Sequence, residues 1–168
     1  MMRLFSLINF ITFQLCWFVS ATYQQSGILI IISLLCIHFA LSPQKKADIK
    51  VLPIALIGIA VDQLLIAIQV IQLPENSMSP LVIPIWLMFL WCAFAWCLNH
   101  SLQWLIKLST TKVGVIGAIF GSLSYYVALQ LNVFNSVLSP LYFALAMAFI
   151  WALLLPLFTR IHRYIFRS

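Results

Sequence analysis

The side chains able to do chemistry are few, and they lie inside or at the ends of long apolar runs: Asn9, Gln14, His38, Asp62, Asn99, His100 and Gln103. Hydrocarbon penalises such groups, by roughly 2.5–3.5 kcal/mol for an Asp at the centre of a helical span, so each one demands a reason. Asp62 stands about 18 Å along a helix from Lys50, past the middle of a hydrocarbon core about 30 Å thick. Ala55, Gly58, Asp62, Gln69 and Gln72 recur at helical spacing on one face, which should look inward, with Gln63 about 100° away. An acid placed there carries a proton or cation, or contacts a polar headgroup. Alternatively it is a protonated carboxyl bonded to Gln14 or another amide, tying two helices together.

A second concentration of polar residues ends the uncharged run Leu81 to Leu98, in the stretch CLNHSLQWL at residues 97 to 105. On a continuous helix Trp96, Asn99, His100 and Gln103 share a face, while Ser101 points elsewhere, toward Cys97. Counting from Leu81, Asn99 lies roughly 27 Å along its helix, near a membrane boundary. His38 and Asn9, the latter about 9 Å in from Arg3, fall at comparable depth. The expectation is a polar layer of Asn9, His38, Asn99 and His100 that either bonds neighbouring helices or holds a ligand.

Catalytic signatures are absent from the sequence. There is no His-Glu-x-x-His, no Gly-x-Ser-x-Gly and no Gly-rich phosphate loop, and the three histidines, His38, His100 and His162, are too few for a multi-histidine iron site. Cys16, Cys36, Cys92 and Cys97 show no Cys-x-x-Cys spacing and read as small apolar packing residues. No metal or cofactor is expected, and the leaning is against an enzyme.

The elements that must position these residues follow from composition. Of 168 residues, 64% are hydrophobic and 7% charged, with a mean hydropathy of +1.11, whereas a soluble domain carries roughly 25% charged residues. Lipid must cover that much apolar surface. About 20 apolar residues make one helical crossing, which predicts an all-α polytopic membrane bundle of six spans in a single domain, residues 1–168. The spans are Leu4 to Tyr23, Gly27 to Ser42, Ile49 to Gln72, Leu81 to about Trp104, Val113 to Leu131 and Leu138 to about Thr159, with Pro43, Pro74, Pro80 and the stretch Asn132 to Pro140 as breaks. Of the Trp residues in span four, Trp86 and Trp104 read as interfacial anchors and Trp91 and Trp96 as packing residues. Arg3, Lys45, Lys46, Lys50, Lys107, Lys112, Arg160, Arg163 and Arg167 then fall on one side and Glu75 on the other, so both termini are expected to be cytoplasmic. The first span imitates a signal peptide through Val19-Ser20-Ala21. Asn9, Thr12 and Gln14 interrupt its apolar core, and retention is expected.

Gly114, Gly117, Gly121, Ser124 and Ala128 repeat at three- and four-residue spacing in span five, and Ala144, Ala148 and Ala152 do so in span six. Small residues let backbones approach, so these helices should pack closely, with each other or across a homodimer.

Three stretches resemble a family of small bacterial inner-membrane proteins, the domain of unknown function numbered twenty-eight seventy-eight. They are Asn9-Phe-x-x-Phe-Gln14-x-x-Trp17-Phe18, Gly58-x-x-x-Asp62 and Leu98-Asn99-x-Ser101-Leu102-x-Trp104-Leu105. The chain departs from the family pattern at Gln63, where members have Ser, and at Gly121-Ser-Leu-Ser-Tyr125, where they carry Gly-Pro-Leu-Ala-Tyr. The resemblance favours Asn99 and Ser101 over His100. It implies no established activity, but it suggests a role beside membrane-lipid modification. The expectation is a non-enzymatic accessory factor whose partners are membrane lipids, a lipid-modifying enzyme and a second copy of the chain, with no nucleic acid. The alternative is a small ion-coupled transporter using Asp62.

Overall fold

Long apolar stretches punctuated by Pro, Ser and Asn fold as helices, and the punctuation marks where each one stops. The computed structural model describes residues 2–74 and 81–167, with side chains from residue 4; Glu75 and Pro80 lie outside the described residues. The elements are α1 (Met2–Tyr23), α2 (Ile28–Leu41), α3 (Lys45–Lys50), α4 (Leu52–Ala67), α5 (Ile85–Asn99), α6 (Thr110–Ile116), α7 (Ser122–Gln130) and α8 (Pro140–Ile165). Tight 3-10 turns occupy Gln24–Gly27 and Gln103–Lys107, and the wider π turn Gly117–Gly121 joins α6 to α7 without a break. All regular structure among the described residues is helical, with one isolated antiparallel bridge, Gln72 to Asn135.

Local chemistry explains the ends. α2 stops ahead of Pro43, which drives Ser42 into the extended region. α5 follows Pro84, and α8 opens on Pro140, where a missing N–H leaves nothing unpaired. α4 ends at Ala67, earlier than residue 72, because Gln69 adopts a left-handed backbone (φ 62°) and the Ile71 N–H reaches back to the Leu65 carbonyl at 3.1 Å. The continuous helical face expected to carry Ala55, Gly58, Asp62, Gln69 and Gln72 therefore breaks after Asp62. Gln72 instead forms the bridge to Asn135, with two backbone bonds of 2.8 Å.

Four helical stretches are long and apolar enough to cross a membrane: Leu4–Leu41, Lys45–Ala67, Thr110–Gln130 and Pro140–Ile165; Ile85–Asn99 is apolar but shorter. The first folds back on itself at Gln24, whose φ is 46°, so α1 packs against α2. The chain divides into two units, Met1–Val61 with Ile83–Trp104, and Asp62–Val82 with Leu105–Ser168.

In the first unit α5 is the centre, packed against α1, α2 and α3. Trp86, Trp91 and Trp96 are buried, so Trp86 is a packing residue here and not an interfacial anchor, whereas Trp104 is exposed. A Cβ on Gly58 would stand 2.2 Å from the Trp91 ring, so this glycine is what lets the indole lie on α4. In the second unit α8 packs against α6, the π turn and α7. A Cβ on Gly117 would stand 2.4 Å from the Trp151 carbonyl oxygen, and one on Gly121 2.2 Å from the Trp151 ring. The small-residue repeat thus serves α8 of the same chain. Pro156 has no N–H to give the Ala152 carbonyl, and that oxygen lies 3.1 Å from where a Gly114 Cβ would be.

Candidate functional site

In the first unit the polar residues of four elements meet around Asp48, which α3 holds with no exposed surface. Asp48 Oδ1 accepts from Asn99 Nδ2 at 2.8 Å and pairs with His100 Nε2 at 2.8 Å, while the Ser42 hydroxyl donates to Oδ2. The Trp96 indole N–H donates to the Asp48 backbone carbonyl at 3.1 Å. A fully buried carboxylate is tolerable only when its lone pairs are filled in this way.

A second set of bonds adjoins the first. Asn9 Oδ1 accepts from the Ser101 hydroxyl at 2.6 Å and from the Ser101 backbone N–H at 3.2 Å. Because a backbone N–H can only donate, the orientation of the Asn9 amide is determined, and its Nδ2 must be the donor to His38 Nε2 at 3.0 Å. Neutral His38 therefore carries its proton on Nδ1, a buried atom with no hydrogen-bond partner. Its ring stacks on Trp96 with centroids 4.9 Å apart, and Phe5 lies against both His38 and His100.

Asn9, His38, Asn99 and His100, the expected polar layer, do converge, and all four are buried. Helical spacing misplaced two neighbours. α5 ends at Asn99, and His100 leaves helical geometry (φ −127°, ψ −88°), so Ser101 turns into the cluster through Asn9 while Gln103 is exposed in the following 3-10 turn. Gln14 is exposed on α1. Asp48 and Ser42 escape the sequence reading because an acid amid Lys45, Lys46 and Lys50 looks like a neutralised surface run. The available signal is that Asp48 is the single acid in the segment between α2 and α4.

The cluster has an acid, two imidazoles and two hydroxyls; the Ser42 hydroxyl donates to the Asp48 carboxylate and the Ser101 hydroxyl to the Asn9 amide oxygen, so neither is bonded to an imidazole. A cleft beside it, between Phe5, Pro43, Gln44 and His100, holds about 10 Å³, room for one water. No group of three metal-ligating side chains occurs among the described residues.

Asp62 belongs to the second unit, also with no exposed surface. It accepts from the Tyr125 hydroxyl at 2.6 Å, so a phenol is among its partners. Tyr125 is held among Phe134 and Trp151. It is the last residue of Gly121-Ser-Leu-Ser-Tyr125, one helical turn beyond a glycine that brings Trp151 close, and that stretch was the signal for it. Gln63 donates to the Leu81 carbonyl at 2.9 Å, and Gln69 to the Ile66 carbonyl at 3.1 Å, so both serve backbone ends.

No curated protein and no solved structure matches the chain. A family model described as Protein of unknown function (DUF2878) matches residues 6–157, from α1 into α8, and the chain belongs to that family.

Proposed function

We propose that this chain is a multi-pass protein of a bacterial inner membrane, with six spans and both termini cytoplasmic, that acts as a non-enzymatic accessory factor in membrane-lipid modification or homeostasis. Six spans follow if the fold-back at Gln24 divides the first long stretch and the shorter α5 crosses locally thinned lipid. The basic residues between and after these spans then share one side.

The observation that carries the accessory reading is the closed polar cluster around Asp48. Apart from His38 Nδ1, no side-chain nitrogen or oxygen buried in it lacks a hydrogen-bond partner, and the cleft beside it has room for a water and not for a substrate. Such a cluster shapes a membrane-boundary surface for a partner. Lipid analysis of a deletion strain tests the role. The expected result is an altered fatty-acyl profile, restored by the wild-type gene; a profile unchanged in growth and under oxidative stress removes the proposal.

Asp62 supports a second reading, a small ion-coupled transporter, because a buried acid bonded to a phenol is a potential proton carrier. Proteoliposomes loaded with a pH-sensitive dye would show proton flux. Flux undiminished by Asp62→Asn eliminates that reading.

A further inference from the structure

We propose that the groove between α6 and α8 is a binding site for one anionic phospholipid, with an acyl chain along its floor and the phosphate at Arg160. The groove has a volume of about 640 Å³. Gly114, Ala118 and Ala152 form the floor, where short side chains leave a trough, and Val115, Leu153 and Leu157 stand exposed along its walls. Polarity is confined to one end. There Thr110 and Thr111, at the start of α6, meet Arg160 near the end of α8, because the two helices pass one another with Gly114 beside Ala152 and Pro156.

The charge at that end has no acidic counterpart among the described residues of the unit. The Arg160 side chain makes no ion pair or hydrogen bond among the described residues. Asp62 is the one acid among the described residues of this unit, and it is buried against Tyr125. Lys107, Lys112, Arg160, Arg163 and Arg167 follow with no acid beyond Glu75. Three residues past Arg160, Arg163 gives its Nε to the Thr159 carbonyl at 3.2 Å, which leaves its Nη2 buried without an acceptor. A guanidinium beside two hydroxyls is a phosphate-binding set, and a lipid supplies that phosphate on the same molecule that fills an apolar trough. A docking helix would fill the trough and leave the cation unmatched.

The inference rests on the proposed membrane placement and not on the accessory role. The test uses the full chain in nanodiscs of phosphatidylcholine with a minor fraction of phosphatidylglycerol, then measures retained lipid by native mass spectrometry. One phosphatidylglycerol per chain should be retained in preference to phosphatidylcholine. Arg160→Gln should lower retention roughly tenfold, as loss of one charge-assisted contact predicts. Lys112→Gln, the same charge change outside the groove lining, should leave retention unchanged. Ala118→Trp, checked for helicity by circular dichroism, should abolish retention by filling the trough. Equal retention of both lipids, insensitivity to Arg160→Gln, full competition by inorganic phosphate, or a second copy crosslinked through Ala118→Cys would each overturn the proposal. A chain that fails to enter the bilayer removes the membrane reading as well, whereas one that enters without lipid preference removes this inference alone.

Discussion

Asp48 is the residue on which one of the first unit's two sets of polar contacts depends, since it receives side-chain donors from the segment after α2 and from the end of α5. Replacing it by Ala orphans the Asn99 and His100 donors, and a buried donor left unpaired costs about 1–3 kcal/mol. Asp48→Ala should therefore unfold at markedly lower temperature in detergent, with Gln44→Ala, on the cleft rim, as the neutral comparison. His100→Gln keeps an N–H able to reach the carboxylate and should be tolerated, whereas Asn99→Leu keeps none; equal losses from the two would contradict the geometry. Asn9, His38, Asn99 and His100 were legible because a polar side chain in an apolar run has few places to go. Ser101 was not, because its direction depends on where α5 stops, and that is set by backbone geometry at His100.

At the scale of elements, helix existence follows from apolar runs and helix ends follow from single residues. Gln69 holds the left-handed position that terminates α4, and its side chain bonds the Ile66 carbonyl. Gln69→Asn should preserve stability, while the β-branched Gln69→Val should lower it by about 1–2 kcal/mol, read as a shift in thermal unfolding. The contact between α8 and the π turn depends on Gly117, where any side chain meets the Trp151 carbonyl. Gly117→Val should lower stability by about 1–3 kcal/mol through overpacking, and hydrogen exchange should show α6 and α8 losing protection together. If protection is lost in α2 instead, the assignment of this contact is wrong. The glycine spacing predicted close packing. Its partner, α8 of the same chain and at Trp151, required the tertiary contact.

For the whole molecule, the proposed six spans place both termini in the cytoplasm. Fusions of a reporter that is active only in the cytoplasm should be active at either end, and opposite outcomes at the two ends would require an odd number of spans. The basis for the even count is the positioning of nine basic residues between or outside the apolar runs. This prediction is independent of the polar cluster and of the lipid groove, so it tests the membrane placement on which both functional proposals depend.

The order of residues by itself determined that the chain is helical, with stretches long and apolar enough to cross a membrane, and poor in catalytic motifs, since these properties are read along the chain and survive any arrangement of the helices. The family was legible too, in short motifs at Asn9, Asp62 and Asn99. Tertiary structure decided the partners. Asp48, which reads as part of a charged surface run, became the buried centre of one unit, and Asp62, the acid that first draws notice, took Tyr125 in the other. The physical reason is that periodicity specifies the direction of a side chain only while a helix continues. Ser101 and Gln69 sit beyond helix ends, and Asp48 sits in the six-residue α3 that follows the end of α2, so one or two dihedral angles redirect everything that follows.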